Sequence, residues 1–127
     1  MAPTRVVCIE DELDMLELMR LILSRRGFEF VGAQGGREGL QTIERVQPDL
    51  ILLDLMMPDI DGWEVYRQLK DDPNTTDIPV VIVTARAQQS NKLLEVRSNS
   101  GDDYIIKPFG PEQLLEIIEA VLTNRSS

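Results

Sequence analysis

Five side chains that can do phosphoryl or metal chemistry stand at four places where apolar runs stop: Glu10-Asp11 after Val6–Ile9, Asp54 after Leu50–Leu53, Thr84 after Val80–Val83, and Lys107 after Tyr104–Ile106. A carboxylate at the end of a core strand is costly unless solvent, a cation or a hydrogen-bond partner compensates it. Asp54 is therefore the first candidate for chemistry. After it, Pro58 and Gly62 force a loop before a helical pattern resumes. If Glu10, Asp11 and Asp54 converge, their mutual repulsion raises their affinity for protons, and a hard divalent cation relieves it. Mg2+ suits such a site because it needs few carboxylates and readily takes a phosphate oxygen. Opposite the metal, the Thr84 hydroxyl donates to a phosphoryl oxygen and the Lys107 ammonium neutralises another. Asp54, as a carboxylate nucleophile, forms an acyl phosphate.

These residues need elements to position them. Five short apolar runs, with Phe28–Ala33 as the second, alternate with helical segments over 12–26, 36–46, 62–70, 88–98 and from Pro111 onward. Leu13, Leu16, Met19 and Leu23 recur at helical spacing, and Gly27 ends that segment. Asp61 and Glu64 read as a capping box, and Pro111 suits a first helical position. The segment over 88–98 is more polar, anchored by Leu93, Leu94 and Val96. Repeated strand–helix–strand order implies parallel strands with right-handed crossovers. Continuous rather than alternating apolar runs imply strands covered on both faces. The expected fold is α/β, a flavodoxin-like (βα)5 three-layer sandwich whose five-stranded parallel sheet has the order 2-1-3-4-5. Glu29 and Gly32 mark the second run as an edge and the least buried strand. All four chemical positions then open on the carboxyl edge of the sheet, beside the point where strand order reverses.

Composition bounds the reading. The 127 residues, 43% hydrophobic and 28% charged, suit a single globular domain over 1–127, with its core over about 5–123. The net charge of −9 argues against non-specific nucleic-acid binding by this domain. Cys8 is the one cysteine, which excludes an internal disulfide and reads as packing within a strand. No apolar stretch approaches the roughly 18 residues of a membrane span, and a cytoplasmic location is the expectation.

The segments Ile9-Glu10-Asp11-Glu12, Leu52-Leu53-Asp54-Leu55-Met56-Met57-Pro58-Asp59-Ile60-Asp61-Gly62, Val83-Thr84-Ala85 and Gly101-Asp102-Asp103-Tyr104-Ile105-Ile106-Lys107-Pro108-Phe109, in that order, resemble a response-regulator receiver domain of two-component signalling. The resemblance spans residues 5 to about 123. It implies that Asp54 accepts a phosphoryl group from a sensor histidine kinase or phosphotransfer protein, and that hydrolysis of the acyl phosphate is slow and self-catalysed. It implies Mg2+ ligation by the carboxylates of Asp11 and Asp54, the backbone carbonyl of Met56, and Glu10 mainly through water. Thr84 and Tyr104 would act as switch residues that change the surface of the fourth helix, fifth strand and last helix toward a downstream protein, or toward a homodimer through that surface. The Lys107–Pro108 bond is expected to be cis.

Met56 and Arg86, two residues beyond Asp54 and Thr84, stand where this family tunes phosphoryl lifetime; Arg86 is expected to shield the phosphoryl group or pair with Glu10. Asp59, Asp61, Asp102 and Asp103 read as turn formers and caps. Three departures from the family pattern are Glu10 where Asp is at least as common, a Thr84–Lys107 interval about one residue longer than typical, and Ser100-Gly101 where Gly-Ala is expected.

Other classes fit less well. A metal-dependent phosphatase would want an acid two residues after the nucleophile, where Met56 stands. A nucleotide or flavin module would want a glycine- or hydroxyl-rich phosphate loop after the first strand, where Glu10-Asp11-Glu12 would repel phosphate. A docking-only relative would not need Asp11, Asp54, Thr84 and Lys107 together.

Overall fold

The computed structural model describes residues 2–85, 90–98 and 101–126. Five strands alternate with five helices: β1 (Arg5–Glu10), α1 (Leu13–Arg25), β2 (Glu29–Gln34), α2 (Gly36–Val46), β3 (Leu50–Asp54), α3 (Gly62–Asp71), β4 (Val80–Thr84), α4 (Ser90–Ser98), β5 (Asp103–Ile106) and α5 (Pro111–Ser126). All strands pair in parallel, in the order β2-β1-β3-β4-β5.

The strand residues are apolar throughout because the sheet is covered twice. Val6, Cys8, Leu50, Leu52, Val81 and Val83 pack with Leu16, Met19 and Leu23 of α1 and with Leu114, Ile118 and Val121 of α5. Their strand neighbours Val7, Ile9, Ile51, Leu53, Val80 and Ile82 face the other way, onto Ile43 of α2, Val65 and Leu69 of α3, and Leu93 and Val96 of α4. Side chains along a strand alternate between faces, so each continuous run feeds both cores at once. β2 is an edge strand, but it is not the least buried: β5, the other edge, has no fully buried residue.

Helix ends follow local chemistry. Gly27, at φ 85°, closes α1: its N–H donates to Ser24 O and that of Phe28 to Leu23 O, both at 3.1 Å. This paired closure needs the left-handed backbone that glycine adopts without penalty. The Asp61 carboxylate caps α3 by accepting from Trp63 N at 3.0 Å. The reciprocal half of the expected capping box does not form, because the Glu64 carboxylate is engaged by Arg67 and Gln68 one turn along the same helix. A charge-assisted pair with an arginine is a stronger partner than a backbone amide. Asp59 caps a different helix, accepting from Gly36 N at 3.1 Å and Arg37 N at 3.0 Å, so the loop after β3 is tied to the start of α2. Those two amides hold the Asp59 carboxyl below its usual range.

Asp102 is the largest departure from the sequence expectation. It is no exposed turn residue: at 5% exposure it accepts from Tyr66 Oη at 2.6 Å, Val80 N at 2.8 Å and Lys70 Nζ at 3.0 Å. A buried carboxylate requires such partners, and here they join α3, β4 and the start of β5 at the amino edge of the sheet.

Candidate functional site at the carboxyl edge

The ends of β1, β3, β4 and the residue after β5 meet at the opposite edge. Asp54 is the last residue of β3 and 5% exposed; its Oδ1 accepts from Met56 N at 3.1 Å, which curls the chain away from the sheet. The curl runs into α3 through Gly62, whose N–H donates to Leu55 O at 3.3 Å. A Cβ at Gly62 would lie 2.4 Å from Leu55 Cα, so only glycine lets the helix start abut the strand end.

Glu10 ends β1 at 2% exposure, and its carboxyl is hydrogen-bonded to Asp54. Burial first, and then the bond to Asp54 and its charge, push the Glu10 carboxyl up to about 8, while Lys107 pulls it down. The Lys107 ammonium sits 3.4 Å from Glu10 Oε1 and 3.8 Å from Asp54 Oδ2. Its backbone is anchored where Lys107 N donates to Thr84 O at 2.8 Å. The Lys107–Pro108 bond is cis, as expected. Thr84, fully buried, ends β4 beside this group.

The remaining predicted residues lie further out. Asp11 is half-buried, and its backbone carbonyl accepts from Gln34 Nε2 at 3.0 Å. Among the described residues no set of three or more carboxylate, histidine or cysteine side chains is arranged to hold a metal ion. The carboxylates that do meet here are Glu10 and Asp54, with Lys107 between them. Met56 projects an exposed side chain at the rim. Tyr104 is half-buried, with the Arg97 guanidinium 4.3 Å from its ring centroid. Arg86 lies outside the described residues, as does Ser100. Cys8 is buried within β1, and burial pushes its thiol up, in keeping with an inert packing role.

A cleft of about 600 Å³ opens beside this group, lined by Leu55, Met56, Asp61, Trp63, Thr84 and Lys92 among others. Sequence reasoning did not single out Lys92 or Trp63, since a lone lysine in a polar helix carries no pattern of its own. The donor set at the edge is all oxygen, and a hard divalent cation such as Mg2+ binds through one or two carboxylates with water and phosphate completing its shell. The carboxylates at this edge, Asp54 with Asp11 and Glu10 at the end of the neighbouring strand, fit such an ion in chemistry and number. No helix is long and apolar enough to cross a membrane among the described residues.

A doubly wound parallel sheet of order 2-1-3-4-5, with a carboxylate pair and a lysine at its switch point, defines a flavodoxin-like α/β domain. Comparison with known proteins narrows the class: residues 6–119 match the family described as response regulator receiver domain, and the chain belongs to it. The chain is 39% identical over 119 residues to the phosphate regulon transcriptional regulatory protein PhoB of Pseudomonas aeruginosa, covering 92% of this chain and 51% of that protein. It thus spans about half the length of the curated relatives it matches. Among solved structures, a CheY-like response regulator receiver domain protein from Methanospirillum hungatei superposes with TM-score 0.87 at 27% identity, over 98% of each chain. The response regulator TrrA of Thermotoga maritima, solved in complex with Mg2+ and BeF, superposes with TM-score 0.81 at 26% identity, over 93% of this chain and 98% of that one. Membership of the family makes this a component of phosphorylation-dependent two-component signalling.

Proposed function

We propose that Asp54 is the phosphoacceptor of this domain, taking a phosphoryl group from a phosphohistidine on a sensor kinase or phosphotransfer protein. The observation that carries the reading is the meeting of Asp54, Glu10 and Lys107 within hydrogen-bond and ion-pair reach at the carboxyl edge. The carboxylates of Asp11 and Asp54 and the Met56 carbonyl would hold Mg2+, with Glu10 acting mainly through water. When bound, the ion supplies charge neutralisation that lets two anionic oxygens approach each other.

The chain's own residues do the rest. Asp54 offers one carboxylate oxygen to the phosphoryl group, beside the cleft that its neighbours Leu55 and Met56 line, while its other oxygen accepts from Met56 N–H. Lys107 shifts its weight from Glu10 to the incoming phosphoryl oxygens, and the Thr84 hydroxyl donates to another. Asp54 returns the group to water slowly, so the domain is a switch rather than a turnover enzyme. Arg86 and Met56 set that lifetime. Tyr104 and Thr84 shift together and alter the surface of α4, β5 and α5, which acts on a downstream protein, an attached output region or a second copy of the chain. The switch is a population shift driven by contacts to one new dianion.

Exposed Leu13, Leu18 and Leu21 on α1, the helix that starts just after Asp11, support docking of the phosphodonor protein on that flank. The acidic balance supports a domain that does not itself bind nucleic acid, and its membership of the receiver-domain family supports work in the cytoplasm.

The test is incubation with Mg2+ and acetyl phosphate, followed by intact mass measurement, repeated with Asp54→Ala. A phosphoryl-sized gain present in the parent and lost in the variant is the expected result. A gain that survives the substitution, or none in either protein, overturns the reading.

A further inference from the structure

We infer that Lys92 is a second phosphoryl-binding cation, held at rest on the face of Trp63 and transferred to the phosphoryl oxygens when Asp54 is loaded. The inference rests on the phosphoacceptor reading above and adds a residue that none of the four sequence segments contains.

Lys107 is already divided between two carboxylates, at 3.4 Å from Glu10 and 3.8 Å from Asp54. A phosphoryl group adds a charge of about −1.5 to −2 at neutral pH, with three acceptor oxygens. Even with Mg2+ bound, the ion and one shared ammonium do not balance the phosphoryl dianion together with the Glu10 and Asp11 carboxylates, so negative charge stays in excess. Among the described residues lining the 600 Å³ cleft, Lys92 is the one that carries positive charge. It is exposed, on a flexible four-carbon stem, and its Nζ lies 5.4 Å from the Trp63 ring centroid. A cation over an aromatic face at an exposed position is weakly held, so a dianion on Asp54, next to the Leu55, Met56 and Thr84 that line this cleft, competes well for it. Asp61, the carboxylate that also lines this cleft, is engaged in capping α3 and is the lesser competitor.

Trp63 is built as a resting place. Its backbone N–H is fixed by Asp61, and its ring meets Tyr66 edge-on at 6.2 Å between centroids, 85° between planes. The same two residues, Trp63 and Lys92, also border a second cleft of about 470 Å³ between α3 and α4, together with Tyr66, Glu95 and Val96. Movement of Lys92 from the ring to the phosphoryl group therefore alters both clefts, and the first turn of α4 senses the state of Asp54 directly. Trp63 is the single tryptophan of the chain, so its emission reports the departure of the cation.

The experiment is titration of the intact chain with beryllofluoride in Mg2+, read by Trp63 emission and independently by fluorine NMR of the bound anion. Lys92→Ala and Lys92→Met are expected to weaken binding about five- to tenfold, the range of one charge-assisted contact at a partly exposed site. They are also expected to lose most of the emission change, while Lys92→Arg keeps both. Lys92 is exposed, and circular dichroism checks that the variants stay folded. Binding within twofold of the parent in Lys92→Ala, with an unchanged emission response, overturns the inference while leaving Asp54 as phosphoacceptor. Absence of bound fluorine signal in the parent protein overturns the phosphoacceptor reading, and this inference with it.

Discussion

Lys107 Nζ stands nearer to Glu10 Oε1, at 3.4 Å, than to Asp54 Oδ2, at 3.8 Å, although Glu10 lies 97 residues away and Asp54 is the proposed acceptor. The ammonium therefore compensates chiefly the residue at the end of β1. Replacing Lys107 with Met is expected to push the Glu10 carboxyl above its value of about 8, because the group that pulls it down is removed. Carboxyl-carbon NMR titration of Glu10 checks the direction. The same variant should lose phosphoryl uptake from acetyl phosphate by at least about tenfold, the loss of one strong charge-assisted contact.

Glu10 also sets a pH dependence of stability in metal-free buffer. Its folded pKa is raised from 4.5 to about 8, so between those values the folded chain holds more protons than the unfolded chain. Stability then falls as pH rises through that window, opposite to the behaviour of a carboxylate whose pKa is lowered on folding. Urea midpoints across the window should fall toward the alkaline end, and Glu10→Gln should flatten that trend. Added Mg2+ should stabilise the parent more at the alkaline end, where the carboxylate form that a cation prefers is favoured.

Asp102→Ala removes one acceptor from three donors, Tyr66 Oη, Val80 N and Lys70 Nζ. Leaving a half-buried ammonium and buried polar groups without this partner is expected to cost about 3–5 kcal/mol, a large share of a domain's stability. Asp102→Asn keeps an acceptor oxygen while losing the charge, and should fall between the two. Urea denaturation at neutral pH measures both.

Asp59→Ala unties the loop after β3 from the start of α2. The expected loss is about 0.5–1 kcal/mol, typical of an exposed helix cap. Amides that bind the ionised Asp59 hold its pKa down, so its contribution is present above the unfolded pKa and disappears as pH falls through the folded one. The difference between parent and variant should therefore vanish in acid.

Gly62→Ala places a methyl 2.4 Å from Leu55 Cα, a contact with backbone that no rotamer relieves. A loss of about 1–3 kcal/mol is expected from overpacking. Because the displaced segment directly follows Asp54, phosphoryl uptake should drop by more than the stability loss alone explains. Comparing uptake in Gly62→Ala and in an equally destabilised core variant separates the two effects.

The strands and the edge they open on were legible because burial on both faces writes continuous apolar runs, and because a carboxylate or lysine at the end of such a run has few cheap explanations. Asp54, Glu10 and Lys107 stood out for that reason. Asp102 did not: next to Asp103 and after Gly101 it has the local grammar of a turn, and its three partners come from positions 22 to 36 residues earlier. Asp59 capping α2 is hidden in the same way, since its helix precedes it by more than 20 residues. Glu64 carried a correct local signal that a nearer arginine outbid. Lys92 gave no signal, because its role depends on a ring brought alongside by the packing of α3 against α4.

The anchoring of Asp102 has a mechanical consequence for β5. The strand is riveted at its start through Asp102, while its far end leads into Lys107 at the acidic pair. A tug on the lysine end tips such a rod about its rivet instead of sliding it along its neighbour. Travel then grows with distance from the pivot, and the amino rim of the sheet works as a fulcrum for whatever happens at the other.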